Sequence, residues 1–278
     1  VPGFHKYAPA LLAVVALILS PLVADAVLVA PHAIFMDQRT RTGEFTIANP
    51  GKESEEVDIA LEFGYPATDS TGNPYVLLVP SPSANQPSAA AWIQAYPRRV
   101  RLAPGQRQVI RLLATPPANL PDGEYWSRVI VTSRHSSVAP IAADSGLQAG
   151  LTFELRTIIG LIYRKGPLHT AVHLQDVHGS TQRDSLVVWT TLQREGDAAY
   201  LGSLHVWVAD HAGRMTQEWH TPVAVYYGIR RRLALPLAPL PPGHHMVHVE
   251  VTTAREDLPQ QNVLPAPAVA DSFAVDIH

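Results

Sequence analysis

Cysteine is absent from all 278 residues, which removes thiol catalysis, a disulfide framework and cysteine-ligated zinc together. Charge is sparse as well. Charged residues make up 16% of the chain and the formal net charge is −3, so no strong field favours nucleic acid or an anionic membrane surface. Aromatic residues make up only 7% of the chain against 25 prolines, a balance that suits strands and turns better than helices. From Val27 onward no apolar pattern of helical period reaches a convincing length. GxSxG, HExxH and phosphate-cradling glycine loops are missing too. The expectation is a non-enzyme without cofactor.

What is present is enough apolar material, 46% of residues, to bury a sizeable core, at a length that fits two domains. Residues 1–26 read as an export leader: His5 and Lys6 precede an apolar run from Ala10 to Leu19, and Ala24-Asp25-Ala26 supplies small residues for a peptidase. Ser20 and Pro21 interrupt the run short of the roughly 20 residues a spanning helix needs. The expectation is cleavage before Val27, a periplasmic location and no stable membrane insertion.

The rest reads as short strands between turns. VLVAPHAIF, GEFTIANPG and EEVDIALEFGYP come first, then a Ser/Pro/Ala/Asn-rich excursion from Ala67 to Pro97. RRVRLAPGQRQVIRLLAT turns at Pro104-Gly105, and LPDGEYWSRVIVTSR follows. After Lys165-Gly166-Pro167, a plausible linker, a second series runs from HTAVHLQDV to HHMVHVEVTT, with turns at Glu195-Gly196-Asp197, His211-Ala212-Gly213 and Pro241-Pro242-Gly243. The pattern predicts an all-β chain of two antiparallel sandwiches over 27–165 and 166–278.

One stretch organises the chain: LQAGLTFELRTIIGLIYR, Leu147 to Arg164. Strand alternation puts Leu151, Phe153, Leu155, Thr157, Ile159, Leu161 and Tyr163 on one face. The second half is apolar on both faces and the first on one, so the halves have different neighbours. Either the stretch is a long core strand, or its first half is an edge that offers Leu151, Phe153 and Leu155 to another polypeptide.

FTIANPG, LAPGQRQVIRLLAT, LPDGEYWSRVIV and IIGLIYRKG, in that order, together with LQREGDAAYLGSLHV, VAVYYGIRRRLALPL and LPPGHHMVHVEV, resemble the PapD-like periplasmic chaperones of the chaperone–usher pathway. The likeness is greatest to their divergent branch with spore-coat-type fibre subunits. The resemblance implies two immunoglobulin-like domains set as an L or boomerang, without enzymatic activity. It implies pilin-type fibre subunits and an outer-membrane usher as partners, and a long strand that donates alternating apolar residues to the subunit. Leu147, Ala149, Leu151, Phe153 and Leu155 occupy those positions. It further implies an interdomain ion pair at Glu124 and Arg164.

The better-known members anchor the subunit's terminal carboxylate with an Arg and a Lys, and the matching positions here are His32 and Gly160. Arg156, on the same face as Gly160 but roughly 13 Å away along a strand, is the other cleft anchor candidate. Elsewhere, His244, His245 and His248 follow a turn but do not share one strand face, so no metal site is expected. Arg230 to Arg232 reads as a solvated strand start, and Asp69 to Asn73 as a turn, because the closing acidic ligand of a calcium loop is missing. The alternative class is an exported structural or adhesive tandem module that binds cell wall or surface. Such a module would tend to cover or charge its edges.

Overall fold

The computed structural model describes residues 27–135, 141–142, 148–149, 153–210, 212–237 and 240–277. The expected leader, residues 1–26, and Leu147 and Leu151 of the long stretch lie outside the described residues. Among the described residues no helix is long and apolar enough to cross a membrane.

The strands are β1 (Leu28–Ala30), β2 (Ala33–Asp37), β3 (Thr42–Ala48), β4 (Glu55–Thr68), β5 (Pro74–Val79), β6 (Ile93–Tyr96), β7 (Arg99–Leu102), β8 (Arg107–Ala114), β9 (Gly123–His135), β10 (Ile141–Ala142), β11 (Gln148–Ala149) and β12 (Glu154–Lys165). They continue with β13 (Thr170–Gln182), β14 (Ser185–Gly196), β15 (Tyr200–Ala209), β16 (Met215–Val225), β17 (Gly228–Pro236), β18 (Gly243–Thr252) and β19 (Val269–Ile277).

They build two immunoglobulin-like sandwiches. In the first, a sheet ordered β1-β3-β8-β6 faces one ordered β2-β12-β9-β4-β5, with β7 paired to β4. Alternate residues of each inner face make the core, with Phe45, Ile47 and Ile110 from one sheet against Val57, Val129 and Leu161 from the other. In the second, β13-β14-β17 faces β16-β15-β18-β19, and Leu186, Val188 and Leu192 meet Leu204, Val206 and Val249. Between the sandwiches lies a smaller cluster, in which Phe63, Trp126 and Ile162 pack with Ala199, Leu201 and Tyr226.

Several local expectations change. VLVAPHAIF is not one strand: it breaks at the cis Ala30–Pro31 bond, and β1 and β2 join different sheets. The excursion carries β5, which forms a hairpin with β4 from Phe63↔Val79 to Thr68↔Pro74. The hairpin tip rests on the second sandwich, where Arg232 N donates to Gly72 O at 3.2 Å and Arg230 N to Thr68 Oγ1 at 3.0 Å. The long stretch is not continuous either. β11 pairs with β10 in a two-stranded sheet of its own, a local closure with little loop entropy to overcome, and β12 starts only at Glu154. β19 escapes the sequence pattern because only Val275 and Ile277 of its apolar residues are buried.

The Arg230–Arg232 run is not a solvated strand start. β17 turns Arg231 to the inner face, where it is buried and burial lowers its pKa. Arg230 covers the Trp189 ring at 4.3 Å. A strand alternates its faces whatever the charge of its residues, so a basic run is necessarily split between inside and outside.

Candidate functional site

The two halves of β12 do have different neighbours. Gly160 to Arg164 lies between β2, parallel, and β9, antiparallel. From Glu154 to Ile159 the strand pairs with β9 alone, because β2 begins opposite Gly160. The Gly160 amide donates across that flank to His32 O at 3.2 Å. By the two-residue period of a strand, the amides of Glu154, Arg156 and Ile158 project the same way, where no ladder partner stands among the described residues.

Side chains follow the same division. Leu161 is fully buried and Ile159 and Tyr163 nearly so, all three in the first core. In the same phase, Leu155 is 45% and Phe153 63% exposed. Exposing two large apolar side chains beside an unpaired backbone edge is a liability that proteins ordinarily cover or charge. Besides Arg156, charge on this half gathers at the end away from Gly160. Arg134 holds Glu154 at 2.8 Å and Asp58 at 2.7 Å, and Arg99 lies 2.6 Å from Asp58. The hydrogen bond from Arg99 holds the Asp58 carboxyl below its ordinary pKa, with Arg134 helping.

Of the expected donor residues, Phe153 and Leu155 therefore stand at the edge. Ala149 lies in the separate hairpin, opposite Ile141.

At the lower end of the open half is an interdomain cleft. His32 reaches it through its backbone, and its side chain is exposed. Arg156 is half exposed and faces Glu62, its Nη2 3.9 Å from Oε1. The cation directly opposite Gly160 is instead Arg128 on β9, buried at the junction against Tyr226 of the second sandwich. A Cβ at position 160 would lie 2.8 Å from Arg128 Nη1, so glycine is what lets the guanidinium pass. Arg128 is 6% exposed. Its Nε donates to Gly64 O at 3.0 Å, its guanidinium carbon lies 5.0 Å from the centre of the Tyr226 ring, and Nη2 has no hydrogen-bond partner among the described residues. Burial pushes the Tyr226 phenol up, with Arg128 opposing. A buried donor left without a partner costs about 1–3 kcal/mol, and Nη2 is shut off from solvent, so an oxygen acceptor reaches it only if the side chains around it move. No local motif announces Arg128; only the cross-strand register with Gly160 gives it meaning.

Glu124 and Arg164 meet at 2.8 Å, but as register partners on β9 and β12 they pair within the first sandwich and not between the two domains as expected. Glu124 is buried and also accepts from Trp126 Nε1 at 2.8 Å and from the Ala199 amide of the second sandwich at 2.9 Å. Arg164 Nη1 donates to Asn262 O at 2.7 Å, again across the junction. The pair thus ties the covered end of β12 to both sandwiches.

The three histidines after the turn do not converge. His244 contacts Asp276, His245 is buried with Nε2 2.8 Å from Pro241 O, and His248 stacks on Trp207. Asp69 Oδ1 accepts from the Thr71 and Asn73 amides at 2.9 Å each, which makes 69–73 a turn closed by its own carboxylate.

No family model matches the chain, and no curated protein matches it by sequence. Among solved structures it is similar to the CsuC–CsuE chaperone–tip adhesion subunit pre-assembly complex from archaic chaperone-usher Csu pili of Acinetobacter baumannii, at 12% identity and a TM-score of 0.43, over 90% of this chain and 98% of that one. It is also similar to the CupB2 chaperone of Pseudomonas aeruginosa, at 10% identity and a TM-score of 0.42, over 89% and 100%. A third is the SafB chaperone in complex with the SafA pilin of Salmonella enterica, at 13% identity and a TM-score of 0.39, over 89% and 96%.

Proposed function

We propose that this chain is a periplasmic assembly chaperone that holds pilin-type fibre subunits by donating the open half of β12 as a strand and delivers them to an outer-membrane usher. In this reading residues 1–26 are a leader removed before Val27, 27–165 is the subunit-binding unit, and 166–278 braces the cleft. The observation that carries it is the conjunction at one edge: Glu154–Ile159 is paired on one side only, and Phe153 and Leu155 stand exposed in one phase. Backbone bonds along such an edge supply affinity, and alternate side chains in a groove set the register. Arg128 takes the place of His32 and Arg156 as the cation opposite Gly160. The terminal carboxylate of a subunit would satisfy its Nη2 once the side chains that enclose it move aside.

The test is Phe153→Asp, read twice. An unpaired carboxylate forced into an apolar groove costs several kcal/mol, a factor of hundreds or more in affinity, while the free chain already holds this side chain in water. The expected result is an unchanged thermal midpoint with the subunit lost from co-expression pull-downs. An unfolded variant, or a stable one that still retains subunit, overturns the reading in favour of a structural module.

A further inference from the structure

Away from the cleft, the outer face of the second sandwich carries a group of side chains that the chaperone reading does not use. β15 and β16 run antiparallel with His205 directly opposite His220 and Trp207 opposite Glu218. Leu204, Val206 and Val208 face the core, so the alternate residues His205 and Trp207 face outward. The Nε2 atoms of His205 and His220 lie 3.0 and 3.4 Å from one carboxylate oxygen, Glu218 Oε2. All three ligand atoms fall within 4.8 Å of one another.

The geometry points to a divalent transition-metal site, of the zinc, copper or nickel class, ligated by His205, Glu218 and His220. Around a tetrahedral ion at about 2.0–2.1 Å from its ligands, donor atoms sit roughly 3.3–3.4 Å apart, close to the separations already present. Two imidazoles and one carboxylate are the donor set such ions prefer, whereas magnesium and calcium take oxygen. The backbone already holds the spacing, because both histidines sit on rigid neighbouring strands. What must change is ring tilt: the imidazoles are stacked, with centroids 4.0 Å apart and planes at 12°, and an ion lying in both ring planes splays them about their Cβ–Cγ bonds. On its other face His205 rests on Trp207 at 4.6 Å, and Trp207 rests on His248 at 5.0 Å. That stack limits how far His205 can turn, so His220, exposed at the rim, makes most of the movement. Glu250 lies opposite His205 on β18, and Arg255, Glu256 and Asp257 line the cavity beside the two histidines. Arg255 pairs with Asp257 at 2.6 Å, so Glu250 and Glu256 are the acidic groups that add negative potential, and the open side leaves the fourth position to water or to a ligand from a partner.

The test is titration calorimetry of zinc chloride into tag-free, chelator-stripped full chain, with His220→Ala, Glu218→Gln and His244→Ala alongside. The expected result is one equivalent bound by the wild type, at least tenfold weaker binding by His220→Ala and by Glu218→Gln, and unaltered binding by His244→Ala. Circular dichroism confirms that the variants fold; both altered ligands are exposed, so neither should disturb the core. No binding by the wild type overturns the assignment, as does retention of wild-type affinity by either ligand variant or loss through His244→Ala.

Discussion

The two halves of β12 share an alternation and a partner strand, and they differ in which flank is covered and in their other face, charged at Glu154 and Arg156 but apolar from Ile158 to Ile162. Below Gly160 in the sheet, β2 covers the second flank, and the apolar side chains are core; above it the flank is open, Ile159 is still core, and Leu155 and Phe153 meet water. Hydrophobic patterning alone therefore does not decide burial. Burial falls away with distance from the covering strand: Ile159, next to the start of the β2 pairing, is still core, and Leu155 and Phe153, further along the same face, are not. The open half is built like a core strand with part of its core missing.

The strongest way to break this comparison is at the covered end, where Arg164 joins Glu124. Glu124→Ala leaves a buried guanidinium and the Ala199 amide without their acceptor. Breaking a buried pair on one side costs roughly 3–5 kcal/mol, read as a large fall in the denaturant midpoint. Next comes the direct contrast within one face. Leu161→Ala should cost about 2–5 kcal/mol as a core truncation, and Phe153→Ala within about 0.5 kcal/mol as a surface change. Equal losses in paired chemical denaturations would erase the distinction between the halves.

Arg128→Leu sharpens the comparison at the boundary. Removing a charge-assisted hydrogen bond worth about 1.5–3 kcal/mol should weaken subunit binding roughly 10- to 100-fold. The fold should survive, since the variant also removes an unsatisfied buried donor. Subunit affinity equal to wild type would exclude Arg128 as an anchor.

The smallest effect belongs to the charged end of the open half, away from Gly160. Asp58 has a folded-state pKa below its ordinary 3.8, chiefly through Arg99, so its stabilisation is present above that ordinary value and disappears as pH falls through the lower folded one. Asp58→Asn should cost at most about 1 kcal/mol at neutral pH, as partly exposed pairs do, and progressively less in denaturations as pH falls below the ordinary 3.8. A constant cost across pH would point to packing instead of charge.

The sequence made strand period, all-β class and the two-part series legible because alternation is a local property. Alternation along one strand also put Phe153 and Leu155 in one phase, and both are exposed; Glu124 and Arg164 were named by the resemblance alone. It missed what depends on register between strands distant in sequence. Arg128 matters only opposite Gly160, 32 residues away by their numbers. His205 and His220 are unremarkable until β15 and β16 set them face to face. The β10–β11 hairpin was hidden for a related reason: alternation continues through Gln148–Ala149, and nothing local says which strand those residues will pair with.

The central claim, that the open half of β12 accepts a strand from a partner, is tested most directly by amide hydrogen exchange on the free chain and on its complex with a co-expressed fibre subunit. The account predicts that the amides of Glu154, Arg156 and Ile158 exchange quickly in the free chain and are protected in the complex, while those of Gly160 and Ile162, already bonded to β2, are slow in both. Slow exchange at 154, 156 and 158 in the free chain, or unchanged fast exchange with the subunit bound, would contradict it.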